Sequence, residues 1–307
     1  MKKTIYLLLI LVLLLALCAC GTSPAAVSEP SDAPPAAAEA PVPEPAAETP
    51  AQPPEEDGTV YRMRVIETLP DGTLLLARET GNIYVVSLDA AEKVLLDGEP
   101  YDPIEPGAYQ MLPGWKFDGL TVDVCCSGIQ SDEWPMEFDS VASLRFYSIG
   151  TPECPGGTCF DLCGLYLQVL EDLWNADDGL NGGAKYISVD LSDAPGGLSE
   201  GEKSAVVWAF AGAHGAEPLT LSYEELVEQG HLTAWPDTEN LYEWEDGLLF
   251  TIRDSGDPAD VYSLPVVRFD AEKWRTPLGA IFFSDCSALW PEIGTWTEYN
   301  TGAFAIS

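Results

Sequence analysis

The sequence predicts an α+β protein. A small N-terminal β-barrel-like domain over residues 59–150 is followed by a Cys, Gly and Pro hinge over 151–161. An α+β domain over 162–307 then ends in an antiparallel meander. Three observations carry this. Residues 59–150 hold short β-branched runs cut by turn signals, with no helical period. From Leu162 the apolar residues recur at i, i+3, i+4 and i+7, the stripe of an amphipathic helix. After Leu241 strand-like runs return, which places strands and helices in separate stretches of the chain.

The chain opens on MKKTIYLLLILVLLLALCAC. Lys2 and Lys3 precede an apolar run from Ile5 to Leu17, too short to span a bilayer and right for an export signal over residues 1–19. Its end, Leu17-Cys18-Ala19-Cys20, resembles the bacterial lipobox, in which a small residue precedes a lipidated Cys. Lipidation at Cys18 would put Leu17 where a small side chain is needed, so the resemblance assigns it to Cys20. It implies a cell-envelope lipoprotein of a Gram-positive, gut-type bacterium, anchored on the extracytoplasmic face of the cell membrane. Residues 20–58 read as a tether. Between Gly21 and Gly58 stand ten prolines and eight acidic residues, with no basic one. Such a composition buries too little apolar surface to offset chain entropy, and its full extension is on the order of 100 Å.

In the β domain, YRMRVIET is the first strand and Pro70-Asp71-Gly72 its turn, with strands expected at 73–77 and 83–88. Asp97-Gly98, Pro106-Gly107, Pro113-Gly114 and Asp118-Gly119 mark further turns, before strands LTVDVCCS and VASLRFYSI. Five or six short strands in this length argue for a closed or partly closed barrel. The stretch carrying PG, LTVDV, WPMEF and VASL resembles the OB-like β modules found behind lipoprotein tethers in gut-type Gram-positive bacteria. That likeness covers about a third of the chain and brings no catalytic motif.

In the second domain the spacing predicts a helix from Leu162 to Trp174, closed by the glycines after Asn175, and a strand over 185–191. Ser199-Glu-Gly-Glu202 and Ser222-Tyr-Glu-Glu225 each read as a capping box opening a helix. Asp246-Gly247 reads as a hairpin turn inside LYEWEDGLLFTI, and the runs VYSLPVVRFD, LGAIFFSDCSAL and TWTEYNTGAFAI complete the strands.

Composition limits the chemistry. The formal charge is −36, and the fourteen basic residues less Lys2 and Lys3 leave 12 against 50 acidic ones. A polyanion of this kind excludes nucleic acid as a partner. Six cysteines remain after the signal and tether start, in an oxidising compartment. Cys154 and Cys159 flank Pro-Gly-Gly-Thr and are the candidate disulfide, whereas a metal site with Cys163 lacks a fourth ligand and the usual spacing. Gly197-Leu-Ser199-Glu-Gly201 matches a nucleophile elbow, but Ser199 is already accounted for as a helix cap. The two histidines, His214 and His231, form no zinc motif, and no phosphate-binding glycine loop occurs. Calcium has weak candidates in Asn175, Asp177, Asp178 and Asn181, and in Asp254, Asp257 and Asp260, neither set in EF-hand register. Of the nine tryptophans, Trp174, Trp208 and Trp274 fall at core positions, and Trp134, Trp235, Trp290 and Trp296 fall near loops.

No catalytic residue and no cofactor is assigned. The expected function is a membrane-anchored binding or envelope-assembly lipoprotein, with a glycan, peptide or membrane protein as partner. One alternative is an envelope glycan or wall hydrolase using carboxylates; another is an accessory or sensory subunit of a membrane complex.

Overall fold

The computed structural model describes residues 58–101, 117–131, 133–154, 161–235, 238, 241–256, 266–289 and 296–307. Cys20, the tether and Cys159 lie outside them. The first layer is a barrel. Strands β1 (Thr59–Thr68), β2 (Thr73–Ala77) and β3 (Ile83–Ser87) form an antiparallel meander, with Gly72 in the left-handed region (φ +85) at the expected first turn. A 3-10 turn, Leu88–Ala90, leads to the small pair β4 (Lys93–Leu96) and β5 (Glu99–Pro100). The long strands β6 (Thr121–Ser131) and β7 (Met136–Tyr147) return antiparallel to each other. β6 pairs with β1, and β7 pairs in parallel with β3, so β1-β2-β3-β7-β6 closes on itself and abolishes the sheet edges.

Side-chain alternation sorts the barrel into two faces. Met63, Val65, Leu74, Leu76, Tyr84, Val122, Leu144 and Phe146 fill the interior, with Tyr84 stacked on Phe138. A bulge between Val65 and Glu67 turns Ile66 outward, where Leu75, Ala77 and Ile83 join it on an apolar outer wall.

Helices cover that wall. α1 (Leu162–Ala176) starts at the Asp161 cap, as its period predicts, and is followed by the single turn α2 (Asp178–Asn181). Strand β8 (Tyr186–Asp190) leads to α3 (Glu200–Ala213), and β9 (Glu217–Leu219) to α4 (Tyr223–Glu228). Both helices open on the capping boxes read from the sequence, with Ser199 and Ser222 bonding Glu202 and Glu225 reciprocally. After the pair β10 (Thr233–Ala234) and β11 (Tyr242–Glu243) come β12 (Gly247–Asp254), β13 (Val266–Thr276), β14 (Gly279–Leu289), β15 (Thr297–Asn300) and β16 (Ala303–Ile306).

The second sheet runs β15-β14-β13-β12-β8-β9, with β16 beside β14. β12, β13 and β14 are the expected antiparallel meander, but β8 lies inside the sheet, parallel to both β12 and β9. One expectation is corrected here. Asp246-Gly247 is not a hairpin turn: Gly247 opens β12, which pairs with β8 and β13 and not with β11. The glycine serves packing instead, because a Cβ there would enter the Trp244 ring.

One core runs through three layers. Ile66, Leu75, Ala77 and Ile83 of the barrel meet Leu165, Tyr166, Val169 and Leu173 of α1 and Val206 and Phe210 of α3, which in turn meet Ile187, Phe250 and Phe269 of the sheet. Truncating such a residue, for example Leu170→Ala, costs about 2–5 kcal/mol. A smaller core on the sheet's other face joins Leu226, Leu232, Trp244 and Leu249. The described residues cluster as one unit.

Candidate functional site

The outward row of β1 decides where the site lies. In YRMRVI the alternation sends Met63 and Val65 inward, and Arg62 and Arg64 outward, short of the point where Ile66 disappears under the helices. Cross-strand register sets Arg62 opposite Asp123, and Arg64 opposite Thr121. Arg62 donates through Nε and Nη2 to the two Asp123 oxygens, 2.8 Å each, and the Tyr147 hydroxyl donates to the same carboxylate at 2.8 Å. Burial alone would push the Asp123 carboxyl up, but the bonds from Arg62 and Tyr147 outweigh it and hold it below the ordinary value. Burial, then the Asp123 bond, raises the Tyr147 phenol to about 12.

Arg64 reaches the other way. Its Nη1 donates to the Gly119 carbonyl at 2.7 Å, and its Nε lies 3.2 Å from Glu202 Oε1. The second Glu202 oxygen accepts from the Ser199 backbone and hydroxyl, 2.8 Å each. Glu202 thus ties the start of α3 to β1. Helix and barrel approach closely at this seam, since a Cβ on Gly201 would run into the Arg78 carbonyl oxygen.

Beside the seam lies a cleft of about 720 Å³, lined by Arg62, Arg64, Arg78, Thr121, Glu153 and Glu202, and closed further by Glu79, Thr80, Gly197 and Ser199. Its size is that of a small-ligand site. Arg62, Arg64 and Glu202 are committed to the bonds above. Arg78 is different. Its guanidinium sits 5.5 Å from the Tyr61 ring centroid and pairs with no carboxylate among the described residues. A smaller depression of about 410 Å³ opens beyond the ends of β8 and β9, where Lys203 is tied to Glu200 at 3.0 Å and Asp190 to Ser192 at 2.7 Å.

Of the remaining sequence candidates, Ser199 lines the cleft and the others fall elsewhere. Ser199 and His214 stand at opposite ends of α3, about 20 Å apart at the rise of a helix, so they form no Ser-His pair. His214 instead shares a 2.8 Å bond with Glu171 and stacks on Trp174 at 3.8 Å between centroids. Cys154 is buried and bonds back to Thr151. Cys125, Cys126, Cys163 and Cys286 are buried too, and none of the five described cysteines bridges another. Burial raises the Cys286 thiol to about 12. Trp134 is exposed, whereas Trp296 packs on the main core.

Two of the calcium candidates, Asp177 and Asn181, bond a lysine. Lys273, fully buried, donates from Nζ to the Trp174 carbonyl at 3.1 Å, the Asp177 carbonyl at 2.9 Å and Asn181 Oδ1 at 3.1 Å. The Asp177 side chain caps α2 through Gly179. Of the candidates, Asn181 thus bonds the lysine ammonium through its side chain and Asp177 through its backbone carbonyl. Asp257 and Asp260 lie outside the described residues, and no group of three or more His, Cys, Asp or Glu able to hold a metal ion occurs within them. No described helix is long and apolar enough to cross a membrane.

Sequence reasoning missed Arg78 and Lys273. For Lys273 a signal existed: Val267, Phe269, Ala271 and Lys273 share one alternating face of β13, so a lysine falls on the core row. Arg78 carries no such mark, because its neighbours in the cleft come from five separate segments.

No protein-family model, no curated protein and no solved structure matches the chain.

Proposed function

We propose that this chain is a lipoprotein anchored through Cys20 on the extracytoplasmic face of the cell membrane, and that its folded part binds a small ligand without transforming it. The observation that carries this reading is the cleft beside Arg78. Arg62, Arg64 and Glu202 are spent holding its shape, while Arg78, two threonine hydroxyls and the carboxylates of Glu79 and Glu153 line the space. Thr80 and Thr121 have no side-chain partner among the described residues.

The order β1-β2-β3-β7-β6 with β3 and β7 parallel is that of a five-stranded OB-like barrel, a fold whose β2–β3 face commonly takes oligosaccharides or oligonucleotides. Here α1 and α3 cover that face, which moves the ligand to the edge where the helix cover stops. The net charge of −36 disfavours nucleic acid.

Thermal shift of the lipidated protein in detergent, against envelope glycans and wall peptides, tests the binding reading. A ligand-dependent rise lost on mutating the cleft supports it, and silence across both panels contradicts it. The hydrolase alternative rests on Glu79 and Glu153 in the same cleft. Glycan cleavage abolished by Glu153→Gln would put that alternative first. Loss of a palmitate label in Cys20→Ala tests the anchor.

A further inference from the structure

We propose that the cleft selects a hydroxylated monocarboxylate, such as an acidic sugar, with its carboxylate paired bidentately to Arg78. The inference rests on the binding reading above and names its ligand. Three features lead to it.

The first is the state of the arginines. In a chain with 50 acidic and 14 basic residues, a guanidinium facing a cleft has abundant acids to pair with. Arg62 takes Asp123 and Arg64 takes Glu202, yet Arg78, half-buried beside them, pairs with no carboxylate among the described residues. Its ring contact with Tyr61 consumes none of its five N–H donors. A planar fork of donors left open in a cleft matches a carboxylate.

The second feature is the company it keeps. Thr80 and Thr121 add hydroxyls that both donate and accept, and Glu79 and Glu153 add acceptors for ligand hydroxyls. A ligand rich in hydroxyls fits that set better than an apolar acid.

The third is the limit on charge. Glu79, Glu153 and Glu202 line the same space, so a second negative charge on the ligand meets carboxylates on several sides. The field of the whole chain opposes polyanions as well. One negative charge satisfies Arg78; two do not fit the cleft.

Isothermal titration of the lipidated protein in detergent, with D-glucuronate, D-glucose and glucose 1-phosphate, tests this. The proposal expects D-glucuronate to bind best of the three. Arg78→Gln should weaken it about ten- to a hundredfold, as for a charged hydrogen bond, while Arg78→Lys retains part of the affinity. Unchanged melting temperatures of the two variants establish that each is folded. Equal binding of D-glucuronate by Arg78→Gln overturns the proposal, as does tighter binding of glucose 1-phosphate. D-glucose binding as tightly as D-glucuronate, with loss of both in Thr121→Val, overturns the carboxylate and leaves the binding reading standing. No binding of any of the three up to millimolar concentration overturns the acidic-sugar assignment, and the wider glycan and peptide panel then decides the binding reading separately.

Discussion

Lys273 shows how far one side chain can redirect a sequence reading. An ammonium without solvent is stable only when its protons are taken up, and three oxygens between the end of α1 and the end of α2 do this. Lys273→Ala removes the lysine bond from the Asp177 carbonyl and Asn181 Oδ1, leaves the Trp174 carbonyl only its bond from Asn181 Nδ2, and should cost about 3 kcal/mol, read as a lowered urea midpoint. Burial pulls the ammonium down to about 8, against the upward pull of Asp177 and Asp178. Between that value and the ordinary lysine value of about 10.4 the unfolded chain binds the extra proton, so this group makes stability rise with pH across that window. Denaturation at about pH 7.5 and 9.5 should show the rise in the wild type and its loss in Lys273→Met. Asp123 has the same sign, in a window at acid pH. Its carboxyl is held low, so its stabilisation is present above the unfolded value and lost as pH falls through the folded one. The oxygen-rich composition of residues 175–181 and the lysine on the core row of β13 were legible; their meeting was not, because Lys273 is 92 residues away from Asn181 along the chain.

Among the elements, those fixed by local bonds were the most legible. α1 follows from its own apolar spacing, and α3 and α4 from Ser199 and Ser222, whose partners are three residues ahead. Ser199→Ala should therefore cost about 1 kcal/mol and loosen the hold of Glu202 on Arg64. The seam between α3 and the barrel is more sensitive. Gly201→Ala puts a methyl group against the Arg78 carbonyl and should lower the melting temperature by the equivalent of about 1–3 kcal/mol. Long-range pairing escaped the sequence. β8 runs parallel between β9 and β12 because Ile187 and Val189 complete the face under α1 and α3, and no residue near β8 announces its neighbours. Asp246-Gly247 misled for a related reason: a glycine admitted for a close ring contact looks the same as one admitted for a turn.

At the scale of the molecule, the helix layer is shared property. α1 and α3 bury the outer wall of the barrel on one side and the sheet on the other. Thermal or urea unfolding of residues 58–307 should accordingly be a single transition, with the barrel failing to separate as an independent step. The same layer explains the cleft, which lies where the barrel wall changes from Ile66 to Arg64 and the helix cover ends. The barrel and the two capped helices could be read from the chain; the cleft could not, since it is built from β1, the β2–β3 turn, β6, the segment after β7 and the start of α3. Hydrogen-exchange mass spectrometry with saturating D-glucuronate is the most direct test of this account. Slowed exchange over 61–65, 77–81 and 197–203, with the sugar recovered intact, is the predicted result; protection confined to other segments, or a cleaved or altered sugar, would contradict it.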